Sequence, residues 1–303
     1  MSILVLGTRG SALALAQARQ VAAQLMAAHP GLKIEERIIT TTGDMRSAAS
    51  LPAIGGKGVF TLEIEAALQS GEIDFAVHSL KDLPPDMPDG LCLAAVPERV
   101  SPVDVLITNS KLKTQNSKFL VGTSSLRRRA MILSLHPDWE TTNIRGNVGT
   151  RLEKIESQNL NATILARAGL HRLELEGLLD EQIVELDPQT FIPAPGQGAL
   201  GIQARSGDEN TLGLLDALEH APSRAEIVAE RTIVRALAAG CSTPLGALAR
   251  ANDGVLTLRA CVLSPNGDKR IEAHGIGIPE NAAELGNSVA QKLIDQGAQE
   301  LLS

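Results

Sequence analysis

The sequence predicts an α/β protein of two lobes joined by a double hinge, with a small α+β domain at its C-terminal end. Three observations predict it. Short apolar runs alternate with helix-period patterns through the first two-thirds of the 303 residues, the mark of mostly parallel sheets. Two proline-flanked stretches, Pro97–Asp104 and Pro193–Gly201, interrupt that alternation and read as crossings by which the chain leaves a first lobe and returns. After about Pro222 the pattern changes to a long helix, two alternating strands separated by an NGD turn, and a closing helix. The expected boundaries are 1–97 plus 199–216 for the first lobe, 101–194 for the second, and 218–303 for the C-terminal domain.

Each element has a local reason. SILVL opens as a strand, and Ser11 caps the helix ALALAQARQVAAQLMAAH, which Pro30 and Gly31 end. IEERIIT is a second strand. VFTLEIEAALQSG is a helix stopped by Gly71. IDFAVHS is a buried strand that runs into the loop LKDLPPDMPDG, and LCLAAVP is another strand. DVLITN begins a new set. FLVGTSSLRRRAMILSLH then repeats the opening design of strand, Gly-Thr turn, serine cap and helix, so Gly122 to Leu126 echoes Gly7 to Ser11. Each lobe is thereby expected to present helix N-terminal amides at the end of a strand, where anions bind. ATILARAGL is a strand with its exit loop. SRAEIVAERTIVRALAAG is a helix leading to the Cys241 loop, followed by the strands GVLTLRACVLSP and KRIEAHGIGI and the helix AAELGNSVAQKLIDQGAQELL.

Composition narrows the function. The chain is 44% apolar and 21% charged, as expected of a globular protein, and no apolar run approaches a membrane span. The opening MSILVLGTRGS has no basic leader and no long apolar stretch, so no signal peptide is expected and a cytoplasmic location is. Cys92, Cys241 and Cys261 are too scattered for a disulfide framework or a zinc site, and the histidines form no HxH or HExxH pair, so no metal is expected. Against a net charge of −7, the segment Val121 to Arg172 carries eight basic side chains and four acidic ones, and seven of the eight are arginine. Arginine forks suit planar carboxylates and phosphates. With an aromatic content of 2% and an acidic pI, stacking on nucleic acid is a poor fit, which leaves a small ligand bearing several negative groups or a set of solvated helix faces.

Three further sites carry candidate chemistry. IGGKGVF holds Lys57 in a glycine-rich loop; it is not a Walker loop, and reads either as a surface turn or as a mobile lid that closes on an anion. HSLKDLP places Lys81 and Asp82 just past a buried strand, as a surface ion pair or as a carboxylate able to move a proton and steady positive charge; His78 beside it reads as a core or supporting residue. Cys241 follows a helix C-terminus, where the dipole disfavours thiolate, and taken alone it reads as a small buried apolar residue.

Taken together, GTRGSALALAQ, TTGD, GGKGVF, AVHSLKDLP, GTSSLRRR, RGNVGTRL, LARAGLHRL, PAPGQGALGI and AGCSTPLG resemble, in order and spacing and over essentially the whole chain, the porphobilinogen deaminases (hydroxymethylbilane synthases). The resemblance implies a monomeric transferase of porphyrin and heme biosynthesis that joins four porphobilinogen molecules head to tail, losing ammonia each time, and releases hydroxymethylbilane by hydrolysis. It implies two lobes like those of periplasmic binding proteins and a third domain carrying a dipyrromethane cofactor on a thioether to Cys241. Asp82 is then the catalytic carboxylate. Arg9, Ser11, Lys57, Lys81, Thr123, Ser124, Ser125, Arg127, Arg128, Arg145, Gly146, Arg151, Arg172 and Gln197 are the implied substrate- and cofactor-binding residues. Arg127, Arg128, Arg145 and Arg151 flank turns near two helix N-termini and are expected to be exposed. Ala53 and Gln203 depart from the family, standing where some members have lysine and many have glutamate. The competing class is a non-catalytic, two-lobed anion-binding protein, which would need neither the Cys241 loop nor an acid among the arginines.

Overall fold

The computed structural model describes residues 3–42, 61–109, 119–179, 182–240 and 243–302. Lys57, Ala53 and Cys241 lie outside them. Contacts divide the chain into two units, Met1–Val100 with Ala199–Arg224, and Ser101–Gly198 with Ala225–Ser303. Elements are numbered along the chain.

In the first unit, β1 (Ile3–Thr8) is followed by α1 (Ala12–Ala28), whose N-cap is Ser11: its side chain accepts a hydrogen bond from the Ala14 N–H at 3.3 Å. β2 (Lys33–Ile38), α2 (Leu62–Gln69), β3 (Phe75–Ser79) and β4 (Leu91–Ala95) follow. The chain then returns as β10 (Leu200–Arg205), giving the sheet order β2-β1-β3-β10-β4. The two-residue strand period decides what each face meets. Phe75 and Val77 pack with Leu6, Val21 and Leu25 on the α1 side, while Ala76 packs with Ile64, Leu68 and Ile73 on the α2 side. α7 (Glu209–Leu215) closes the α1 side through Leu215.

The second unit holds β5 (Asp104–Thr108), β6 (Leu120–Gly122), α3 (Leu126–Leu135), β7 (Glu140–Thr142), α4 (Val148–Ser157), β8 (Ala162–Ala166), α5 (Arg167–Arg172), α6 (Glu176–Leu179) and β9 (Ile183–Glu185). Its sheet order, β7-β6-β8-β5-β9, repeats the first sheet's pattern of parallel and antiparallel neighbours, but the strand in the fourth place comes first in the chain here (β5) and last in the first sheet (β10). The serine cap repeats as well: Ser125 accepts from the Arg128 N–H at 3.4 Å at the start of α3. Leu106 faces α3 with Met131 and Ile164, while Val105 and Ile107 face α4 with Ile155 and Leu165.

α8 (Ala221–Ala236) leads to β11 (Leu245–Asn252), β12 (Val255–Leu263) and β13 (Arg270–Gly277), an antiparallel sheet covered by α8, α9 (Ala282–Asp295) and α10 (Ala298–Leu302). Cys261 and Leu263 of β12 join the core beneath α3. Gly246 of β11 is required there, because an added Cβ would stand 2.7 Å from the Ile192 carbonyl oxygen.

The structure corrects the sequence reading in four places. The five-stranded sheets are mixed, each with two parallel and two antiparallel pairings among the described residues. The strands β5 and β10 follow directly on the crossings, and without an intervening helix nothing obliges a parallel return. The C-terminal sheet has three strands, not two: β11 hides in LGALARAN because alanine and glycine at its inward positions blunt the apolar alternation. The exit from β8 is helix α5 and not a loop. The strands β7 and β9, three residues each, are too short for a periodic signal.

Candidate active site

In the first unit the site grows from the ends of β1 and β3. Arg9 lies between β1 and the Ser11 cap, and β3 delivers His78 and Ser79 before a single 3-10 turn, Leu80–Asp82, carries Lys81 and Asp82. Leu80 is buried and anchors the turn, and its N–H donates to the Ala199 carbonyl at 3.1 Å. Arg9, Ser11, Gln17, His78, Ser79 and Asp82 line one pocket of about 90 Å³. Gln17, on α1, donates from Nε2 to Ser79 Oγ at 2.9 Å and fixes the rim. Asp82 is exposed, Lys81 half-buried. His78 is 8% exposed, and burial pushes its imidazole down to about 4, so it is neutral. Gln203 stands beside it, with Nε2 3.5 Å from Glu65 Oε1.

In the second unit the Gly-Thr-Ser-Ser turn is held from several sides. The N–H of Thr123 donates to the Thr142 carbonyl at 2.8 Å, Ser124 Oγ donates to the Ile144 carbonyl at 2.7 Å, and Ser125 caps α3. The cap places Arg127 and Arg128 in the first turn of α3, on the face that meets β5. Both are buried, at 4% and 5% exposure, which corrects the expectation of exposed turns. Between them sits Asp104, fully buried at the start of β5 on the same face as Leu106. Arg127 Nη2 is 2.7 Å from Asp104 Oδ2, and Arg128 Nη2 and Nε are 2.8 and 2.9 Å from Oδ1. Arg127 also donates to the Ile192 carbonyl and Arg128 to the Ile164 carbonyl, each at 2.9 Å. Burial alone would raise the Asp104 pKa; the two guanidiniums overcome that and hold it below the usual carboxylate range.

Gln197 is equally enclosed. Its Nε2 donates to the Pro102 carbonyl at 2.6 Å and to Asp104 Oδ1 at 3.0 Å. Arg172, half-buried, donates to the Gly198 carbonyl at 2.8 Å, and desolvation lowers its pKa to about 10. The RGNVGTR stretch is a second built turn: Gly146 has φ +117°, Asn147 Oδ1 accepts from the Thr150 N–H at 2.9 Å to cap α4, and Arg151 Nε donates back to the Gly146 carbonyl at 2.9 Å. Arg145 is half-buried, and its carbonyl accepts from Lys154 at 2.8 Å.

The sequence therefore located one pocket and one arginine cluster but missed what organises each. Gln17 was hidden in an apolar-periodic helix. The signal for Asp104 was available: it is the one acid heading the apolar run DVLIT, and an acid leading into a buried strand near three arginines needs a partner.

Residues 4–213 match the family model described as porphobilinogen deaminase, dipyromethane cofactor binding domain, and residues 224–295 match that of the porphobilinogen deaminase C-terminal domain. The chain belongs to the porphobilinogen deaminase family. A porphobilinogen deaminase from Desulforudis audaxviator (strain MP104C) is 45% identical over 302 residues, covering 99% of this chain and 97% of the relative. One from Thermus thermophilus is 44% identical over 306 residues, covering 100% and 99%. Among solved structures, the periplasmic VFT2 domain of Bordetella pertussis BvgS aligns over 71% of this chain and 86% of its own, at 11% identity and a TM-score of 0.42, a likeness too loose to bear on this porphobilinogen deaminase family fold. No helix among the described residues is long and apolar enough to cross a membrane.

Proposed function

We propose that this chain is a transferase that joins four porphobilinogen molecules head to tail, with loss of ammonia at each step, and releases hydroxymethylbilane by hydrolysis in tetrapyrrole biosynthesis. Family membership over the whole chain supports this, and the observation that carries it at the level of chemistry is the buried pair Arg127 and Arg128 sharing the single carboxylate of Asp104. Two desolvated guanidiniums against one acid leave an excess of positive charge, and Arg127 Nε has no acceptor among the described residues. That donor set fits a ligand bearing carboxylates, as a dipyrromethane and its porphobilinogen-derived extensions do.

The dipyrromethane, when bound, supplies the pyrrole carbon to which the first substrate is joined. The chain's own residues do the rest. Asp82, exposed at the end of its turn, protonates the departing amine, and as ammonia leaves it steadies the positive charge on the substrate's pyrrole nitrogen. It then accepts the proton released when the new carbon–carbon bond forms. Arg9, Ser11, Lys81, Arg145 and Arg151 hold substrate carboxylates, and Thr123, Ser124, Ser125 and Gly146 shape the turns that place the arginines. Lys57 belongs to the same proposal as a substrate-binding residue, and Cys241 as the thioether attachment point. A cytoplasmic, monomeric protein in three domains, 1–97 with 199–216, 101–194 and 218–303, completes it.

The test is stoichiometric. Purified protein incubated with porphobilinogen should release four ammonia per linear tetrapyrrole, and acidic aldehyde reagent should stain the protein itself for covalent pyrrole. Binding of porphobilinogen without ammonia release would instead establish a non-catalytic binder.

A further inference from the structure

Asp104 belongs to none of the motifs that mark the family resemblance, yet it stands at the centre of the buried arginine cluster. It is fully buried and takes contacts from three side chains, Arg127, Arg128 and Gln197, between 2.7 and 3.0 Å. The arginines are the second and third residues of α3, where the positive end of the helix dipole makes a cation unfavourable. Two buried cations would repel each other and the helix terminus unless an anion stood between them. Asp104 is that anion, set there by the strand period that puts it with Leu106 on the α3 face of β5.

Its geometry does more than neutralise. Arg127 uses Nη1 for the Ile192 carbonyl and Nη2 for Asp104, which leaves Nε without an acceptor among the described residues. Arg128 is held at Nε by Asp104 and at Nη1 by the Ile164 carbonyl, with Gln197 Oε1 3.5 Å from Nη2. Each guanidinium is therefore fixed in one rotamer before any ligand arrives, and the cluster keeps one uncompensated positive charge. A preorganised fork loses less freedom on capturing a carboxylate than a mobile one.

We propose that Asp104 is a positioning residue for ligand carboxylates: it fixes Arg127 and Arg128 and leaves one positive charge of the three-residue cluster for the ligand to neutralise, a role that rests on the reading of the site as a porphobilinogen and dipyrromethane site. Gln197 is its neutral spacer. The amide donates to Asp104 and to the Pro102 carbonyl without adding a charge.

The experiment compares the holoenzyme with Asp104→Asn, Gln197→Glu and a control, Asp74→Asn. The control removes the carboxylate that pairs with Arg205 at 3.0 Å in the first unit, far in the sequence from either arginine. Three quantities are read: midpoint of urea unfolding, occupancy of the covalent pyrrole increment by intact mass, and KM and kcat for porphobilinogen. Asp104→Asn should purify with reduced occupancy, and its loaded fraction should show KM raised by roughly tenfold or more with kcat changed by less than about threefold. Gln197→Glu conserves size but adds a negative charge that cancels the excess, and should raise KM similarly; it also turns a donor to Asp104 and the Pro102 carbonyl into an acceptor, so its urea midpoint should fall while it remains folded at zero urea. Asp74→Asn should lose stability and keep occupancy and KM. If Asp104→Asn does not fold, Gln197→Glu decides alone. Wild-type occupancy and KM in the folded variants would overturn the proposal and leave Asp104 a purely structural ion pair. A wild-type protein that releases no ammonia from porphobilinogen would sink the functional reading instead, whatever the variants do.

Discussion

Glu230 reaches from α8 to accept a 2.6 Å hydrogen bond from the N–H of Gly196, and its other oxygen accepts from the N–H of Ala249 at 2.8 Å. One fully buried carboxylate thus ties the segment that returns from the second sheet to the C-terminal strand β11. The same segment is held at the Ile192 carbonyl by Arg127, at the Pro193 carbonyl by the Ala247 N–H, and at the Gly198 carbonyl by Arg172. A stretch whose prolines and glycines suggest a pliant crossing is, through Gly198, bonded at nearly every turn.

Removing that carboxylate should be costly. Glu230→Ala leaves two buried backbone donors unsatisfied and should lower the unfolding free energy by roughly 3–5 kcal/mol, since each bond to a charged acceptor is worth about 1.5–3 kcal/mol. Glu230→Gln keeps the volume and one acceptor and should lose about half as much. Urea titrations followed by far-UV circular dichroism measure both, and equal stability of Glu230→Ala and wild type would show that the tie is energetically idle.

Asp82 is exposed, so its loss should leave the fold untouched and affect turnover alone. Asp82→Asn should cut kcat by roughly a hundredfold or more, as for other lost acid–base or charge-steadying groups, with an unchanged melting temperature and the covalent increment present when pre-formed tetrapyrrole is supplied. Activity within a few-fold of wild type would remove Asp82 from the catalytic role.

The proposed attachment at Cys241 can be tested against the other two thiols. Cys261 is fully buried, and desolvation pushes its thiol up to about 11; burial also raises that of the half-buried Cys92. Neither presents a thiolate near neutral pH. Cys241→Ser should purify without the two-pyrrole mass increment, while Cys92→Ser and Cys261→Ser retain it. A retained increment in Cys241→Ser refutes the attachment site.

His78 predicts a pH dependence of stability. Its folded pKa is about 4, against about 6.5 unfolded, because burial opposes the imidazolium. The unfolded chain therefore binds the proton first as pH falls, so the stabilisation is complete above about 6.5 and is lost as pH falls towards 4. Between about pH 7.5 and about pH 5 the unfolding free energy should drop by about 2 kcal/mol from this residue. His78→Gln should flatten that part of the profile. An unchanged slope in the variant would show that another group titrates there.

The local elements were legible because their causes are local. Ser11 and Ser125 announced helix starts, Gly71 a helix end, and the repeat of Gly7–Ser11 at Gly122–Leu126 the shared design of the two sheets. The concentration of arginine in an acidic chain, set beside HSLKDLP and GTSSLRRR, points by itself to a carboxylate-bearing ligand. What the sequence could not decide was which arginines face a ligand and which face the core. Arg127 and Arg128 are adjacent to the exposed Arg129 and chemically identical to it, yet they are buried because the first turn of α3 happens to lie over β5. Their partner, Asp104, is separated from them by β6 and its approach, and only the antiparallel insertion of β5 beside β8 brings it beneath the helix. Likewise β11 has too little apolar contrast to be seen as a strand, and becomes one because pairing with β12 satisfies its backbone. Propensity, capping and composition act within a few residues; the sign and geometry of a buried charge cluster are set by which strand is inserted next to which, and that is a property of the assembled sheet.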